Sequence, residues 1–283
     1  MNTADKLDQL INDKLELSSL PNIYSRISNL LNDEKSTHEQ ITEVIQSDPA
    51  LSVRILKVVN SSFYGYPQQI STILQAIGIL GRRSLRNIIL STIVAGMCRR
   101  MSNDVFDLER YWQHSVRTAV LSKLLVMYSD QKAQAESIFI AGLLHDIGQL
   151  VIAHQLPDQA KEIQMQVMDG AQHQWQVEKN ILGFDHSELG AQLIQQWNLP
   201  ALLVESIRYH HEPQQAKNCK TCCYVIHLAN KLAYLEDDAD VSLFQQSLSD
   251  TDDWPITQIN AEMLGHVMAD AREQFQSVMS MFK

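Results

Sequence analysis

Ten glycines and seven prolines are all that punctuate 283 residues. Average usage is about 7% and 5%, and a sandwich or barrel needs a turn signal roughly every ten residues. A chain so poor in breakers reads as helix almost throughout. At 45% hydrophobic and 20% charged residues it has the apolar content to build a core, unlike a disordered tail. Its length suits one large domain or two modest ones. The expected fold class is all-α.

Charge narrows the partners. Thirty-three Asp and Glu against 23 Lys and Arg leave a formal charge of −10, which argues against wholesale nucleic-acid binding because that needs a basic footprint. The start, Met1-Asn-Thr-Ala-Asp-Lys6, is polar and lacks the apolar run of a signal peptide. Ile88 to Met97 is apolar but too short to span a bilayer. Four cysteines, three of them bunched at Cys219, Cys222 and Cys223, form no disulfide framework. The expectation is a cytoplasmic protein without a membrane segment.

Helix punctuation is clear in the first hundred residues. Leu7, Leu10, Ile11 and Leu15 share a face, and Pro21 opens a helix bearing Ile23, Ile27, Leu30 and Leu31. Thr37-His38-Glu39-Gln40 has the form of a capping box. Asp48-Pro49 supplies a cap and a first-turn proline to a helix that ends at Asn60-Ser61-Ser62. Ser71 is expected to cap a helix with Ile73, Ile77 and Leu80, closed by Gly81. Polar residues at Ser102-Asn103-Asp104 suggest a boundary between an N-terminal subdomain, 1–103, and a second, 104–283. Beyond it, helices are expected around Tyr111 to Leu124, Gln134 to His145, Leu189 to Trp197 and Ala201 to His210. Leu235 to Asp240 and Asp250 to Asp253 read as acidic loops. No repeat period points to a solenoid.

Ten histidines are unevenly placed. His114 follows Trp112 in a helical stretch. His145-Asp146 ends the apolar run Phe139 to Leu144, His186 lies in Gly183-Phe-Asp-His-Ser-Glu188, and His210-His211 precede Glu212-Pro213. Imidazole and carboxylate at the end of a buried helix are ligands for a divalent metal, with imidazole suiting Fe, Mn, Zn or Ni. Several such groups converging from different helices would make a dinuclear site able to activate water for phosphoester hydrolysis. A His-Asp dipeptide alone is a weak signal, and a core or surface histidine is the commoner outcome.

Ala141-Gly-Leu-Leu-His-Asp-Ile-Gly148 resembles the signature of the HD superfamily of metal-dependent phosphohydrolases. The first half resembles its HDOD branch through Ser47-Asp-Pro-Ala-Leu51, Arg54-Ile-Leu56, Asn60-Ser-Ser-Phe-Tyr-Gly65, Ile70-Ser71, Ala76-Ile77 and Leu80-Gly81. Trp112-Gln-His-Ser115, Glu178, Asp185-His186, Glu188, Gly190, Trp197-Asn-Leu-Pro200 and His210-His-Glu-Pro213 continue the match, which covers about residues 15 to 235. The resemblance implies a multi-helical HD-like bundle with an N-terminal helical subdomain, in a bacterial regulatory protein. It places His114, His145 and Asp146 at the first three positions of the catalytic HD core, and Asn230 where that core has Asp. His186, His210 and His211 correspond to the additional ligands of the HD-GYP phosphodiesterases of cyclic di-GMP. Their Gly-Tyr-Pro motif does not follow His186, and Gln149 stands where they usually have Lys. Gly65-Tyr66-Pro67 lies in the other half of the chain.

Arg82, Arg83 and Arg86, with Arg99-Arg100, form the one basic cluster. It reads either as a phosphate or nucleic-acid contact or, more blandly, as a solvated helix turn with a dipole-complementing C-terminal pair. The Cys219-x-x-Cys222 spacing has no second ligand pair at zinc-finger distance. The ten methionines, and Phe63 with Tyr64, read as packing. The expectation is therefore a regulatory module of bacterial signal transduction without efficient catalysis, acting by ligand sensing or by contact with a signalling partner such as a kinase or a cyclic-dinucleotide enzyme. The alternative is an active metal-dependent phosphohydrolase with His114, His145, Asp146, His186, His210 and His211 as ligands.

Overall fold

The computed structural model describes residues 3–12, 17–61, 63–101, 106–168, 170, 172–235 and 260–281. No β-strand occurs among them, and the chain is all-α. It divides into two compact units. One comprises Met1–Ser18 with Met101–Ala271, and the other Ser19–Arg100 with Arg272–Lys283. The boundary read at Ser102-Asn103-Asp104 and both acidic stretches fall outside the described residues.

In the smaller unit, α2 (Asn22–Asn32) buries Tyr24, Ile27 and Leu31, and α3 (His38–Gln46) buries Ile41 and Ile45. The expected capping box is present: Thr37 Oγ1 accepts from Gln40 N at 3.3 Å, and Gln40 Oε1 accepts from Thr37 N at 2.8 Å. Asp48 caps α4 (Pro49–Val59) by accepting from Leu51 N at 2.9 Å. Asn60 closes the following loop: its amide donates to Ile70 O and its Oδ1 accepts from Ile70 N, both at 2.7 Å.

Two details differ from expectation. The cap of α5 (Ile73–Arg99) is Thr72, whose hydroxyl accepts from Gln75 N, while Ser71 N donates to Gln75 Oε1. Both residues can cap, and only backbone geometry selects between neighbours. At Gly81 (φ 75°, ψ 166°) the backbone leaves the helical region, but helix resumes at once and runs on to Arg99. Arg82, Arg83 and Ser84 follow Gly81 without ending the helix, because Leu85, Ile88, Ile89 and Leu90 bury a continuing apolar face.

The larger unit begins with α1 (Thr3–Asn12), which belongs with the residues after 101 because it is tied to them. Lys6 Nζ donates to Leu182 O at 2.8 Å, and Trp197 Nε1 donates to Leu17 O at 2.8 Å. Its remaining helices are α6 (Leu108–Val126), α7 (Ala135–Leu144), α8 (Ile147–Gln155), α9 (Pro157–Met168), α10 (Gln174–Leu182), α11 (His186–Gln196), α12 (Ala201–Arg208) and α13 (Lys220–Leu232). A last helix, α14, spans Ala261–Met281.

Two glycines let backbones meet. A Cβ at Gly142 of α7 would lie 2.8 Å from Ala119 Cα on α6, and one at Gly148 of α8 would lie 2.0 Å from His186 O on α11. These approaches bring His114 on α6, His145-Asp146 between α7 and α8, and His186 on α11 to one place. Among the described residues, the stretch Lys132–Gln155 is long and apolar enough to cross a membrane, but 83% of its apolar window is buried inside the protein. Its apolarity walls in His145 and Asp146.

Candidate metal centre

Asp146 sits where α7 breaks into α8, with its side chain 5% exposed. Its two oxygens face different histidines. Oδ2 lies 3.3 Å from His145 Nε2 and 3.6 Å from His114 Nε2. Oδ1 lies 3.1 Å from His186 Nε2 and 3.6 Å from His210 Nε2. His211 joins the second group, with Nε2 2.9 Å from His186 Nε2. All six residues named from the sequence as ligands thus meet, in two sets of three: His114, His145, Asp146 and His186, His210, His211.

The far side of each ring decides what the near side can do. His145 Nδ1 donates to Gly142 O at 2.8 Å and His210 Nδ1 to Ile207 O at 2.7 Å. A neutral imidazole protonated at Nδ1 presents a bare lone pair at Nε2. With both rings neutral, as metal ligation requires, those two lone pairs point at the Asp146 carboxylate. His145 Nε2, His210 Nε2 and Asp146 Oδ1 are all buried without a hydrogen-bond partner. Buried acceptors facing buried acceptors repel, and a cation between them resolves the conflict. The donor set fits a divalent transition metal, since imidazole and carboxylate are its usual ligands.

Protonation agrees. Burial, with the neighbouring His211 and His145, holds His210 neutral, and burial with the neighbouring His186 does the same for His211. Burial lowers the His114 pKa to about 4. Asp146 stays ionised: burial opposes this, but His145 and His186 outweigh it and hold the carboxyl well below its ordinary range. His186 is the exception. Burial disfavours its charge, yet the Glu178 carboxylate 2.6 Å from Nδ1 raises it well above the ordinary value.

The local sequence explains the placement of His186. Asp185 caps α11 by accepting from Glu188 N at 2.9 Å, while Glu188 accepts from Asp185 N at 3.0 Å. Glu178, on α10, also accepts from His186 N at 2.7 Å. This outer carboxylate was not among the site residues read from the sequence, although Glu178 is one of the positions that carry the family resemblance. It lies eight positions from His186, across a helix end, and no local period links the two.

Asn230, on α13, lies with its Oδ1 3.0 Å from His114 Nε2. Tyr234 stacks on His114 at 4.4 Å between ring centroids, and Trp175 stacks on His211 at 5.7 Å. A cavity of about 590 Å³ opens beside Asp146 and His114, lined also by Arg110, Gln149 and Tyr234. Arg110 precedes His114 by one turn of α6, a spacing that shares a face.

Of the arginines named as a binding patch, Arg82 and Arg86 make hydrogen bonds within the smaller unit. Arg82 donates to Asp33 O at 2.6 Å, to Ser36 Oγ at 3.0 Å and to the carbonyls of Ser36 and Leu30, tying α5 to the turn after α2. Arg86 donates to Asn32 Oδ1. Cys222 and Cys223 are buried on α13, and burial raises both thiols.

The sequence profile of the HDOD domain matches residues 17–213 of this chain. The chain belongs to the HDOD family. Its six clustered residues all lie within the matched HDOD span, while Asn230 and Tyr234 lie beyond it. A protein of Shewanella amazonensis SB2B, provisionally named a phosphohydrolase, is 26% identical and superposes with a TM-score of 0.76 over 99% of this chain and 97% of its own. An HDOD domain protein of unknown function from Geobacter sulfurreducens gives the same TM-score at 20% identity, covering 99% and 98%. An uncharacterized protein of Treponema pallidum strain Nichols is 27% identical over 255 residues, 86% of this chain and 47% of its own length. This HDOD chain therefore spans about half of that relative.

Proposed function

We propose that this HDOD protein is a metal-binding regulatory module of bacterial signal transduction, without efficient catalysis, that acts by ligand sensing or contact with a signalling protein. One observation carries the metal: the orphaned lone pairs of His145 and His210 converging on ionised Asp146 in a buried site. His114, His145, His186, His210, His211 and Asp146 would hold it. A bound divalent ion would supply Lewis-acid polarisation of an anionic oxygen. What argues against efficient turnover is the charge of the site. Among the described residues, Asp146 is the one carboxylate directly at the cluster, and Asn230, a neutral amide, stands beside His114.

A second reading, a metal-dependent phosphohydrolase, is favoured by the cavity beside Asp146, where Arg110 would attract a phosphoester. The Shewanella protein's name points the same way. Two assays separate the readings. Metal-stripped protein titrated with Mn²⁺ or Zn²⁺ should gain thermal stability, and Asp146→Asn should lose that gain. Phosphodiester and cyclic-dinucleotide substrates should turn over negligibly with metal present. Metal-dependent turnover lost in Asp146→Asn would establish the enzyme instead.

A further inference from the structure

The metal centre has two halves, and they are not built alike. The second half offers three imidazoles and Asp146 Oδ1. His186 and His210 there are 2% and 0% exposed at the side chain. Behind it, Glu178 is 1% exposed and accepts from His186 Nδ1 at 2.6 Å. A carboxylate on the far nitrogen makes the near nitrogen a stronger donor and adds a buried negative charge. The nearby Asp185 charge is balanced by Lys179, 3.2 Å away.

The first half offers two imidazoles and Asp146 Oδ2. Gly142 O, a neutral carbonyl, backs His145. His114 Nε2, the atom it would give a metal, is engaged by the Asn230 amide at 3.0 Å. Among the described residues, no carboxylate other than the shared Asp146 lies among its ligands.

We propose that the two positions bind metal unequally. The His186–His210–His211 position holds one divalent ion tightly, and the His114–His145 position takes a second weakly and in exchange with solvent, so that this second position senses the free ion. The inference rests on the metal-binding reading above. A second dication must enter beside the first, share Asp146 with it, and displace the Asn230 contact for a ligand set one charge short. Neutral amide oxygen is a poorer ligand than carboxylate, so Asn230 keeps the second position exchangeable.

The test uses the full chain, stripped of metal and titrated with Mn²⁺, with free Mn²⁺ counted by its paramagnetic resonance signal. One equivalent should bind tightly and survive dialysis, and a second should bind at least about tenfold more weakly and be lost. Glu178→Gln should weaken the first step by about 10–100-fold. Asn230→Asp should strengthen the second step by about tenfold or more and leave the first unchanged. His114→Ala should remove the second equivalent alone, which keeps the test decisive if Asn230→Asp fails to fold by circular dichroism. Two equal steps, loss of the tight equivalent in His114→Ala, or a folded Asn230→Asp with an unchanged second step would each overturn the inference while leaving a metal centre standing. Folded wild-type protein that binds no Mn²⁺ or Zn²⁺ would overturn both.

Discussion

Asp146 is the hub of the site. Its buried carboxylate is held ionised against the cost of burial by His145 and His186, so its charge favours the folded state. Metal-free Asp146→Asn should therefore be less stable than metal-free wild type in urea near neutral pH, and should also lose metal stabilisation; a metal-free variant as stable as wild type would contradict this. Glu205 contributes in the same direction. Its carboxylate accepts from the backbone N–H groups of Lys217, Asn218 and Cys219 at the start of α13. Burial opposes its charge, but these donors outweigh it and lower the pKa. A carboxyl lowered on folding stabilises above its unfolded pKa and loses that contribution as pH falls through the folded one. Glu205→Gln should thus cost about 1 kcal/mol near neutral pH and close to nothing in acid, read from urea midpoints at both. His145-Asp146 and His210-His211 were legible because each pair ends a helix, whereas His114 and His186 were picked out by the resemblance to the HD pattern. Tyr234 and Trp175 were not, because the helix ends that bring them in are set by tertiary packing.

At the scale of elements, close backbone approach sets the distances within the site. Gly148→Ala forces α8 off α11 where His186 O blocks the Cβ, so overpacking of about 1–3 kcal/mol should appear in denaturation, with metal affinity reduced as well. An unchanged affinity would mean that α8 and α11 do not position the ligands. Arg82→Ala should also destabilise, by about 1–3 kcal/mol from the carbonyls it leaves unsatisfied, but without effect on metal binding. Unchanged stability would contradict the structural role of Arg82. The caps at Thr37 and Asp48 were readable because each is a local hydrogen bond between residues three apart. The continuation of α5 past Gly81 was not, since a glycine can end a helix or merely bend it, and burial of Leu85 to Leu90 decides which.

For the whole molecule, the chain returns on itself: Met1–Ser18 packs with the residues after 101, and the last residues join Ser19–Arg100. A single cut near residue 103 cannot describe such an arrangement, because the ties from Lys6 and Leu17 span more than 170 positions and leave no local trace. The metal links fold to function, since an ion bound only by the folded chain stabilises it by mass action. The most direct measurement is elemental analysis of protein purified without added metal or a histidine tag, for wild type and His210→Ala. About one equivalent of transition metal in the wild type, reduced in the folded variant, is the result predicted by the ligand set here. Wild-type protein carrying only trace metal, unchanged by the substitution and not restored by reconstitution, would contradict it and make the histidine cluster structural.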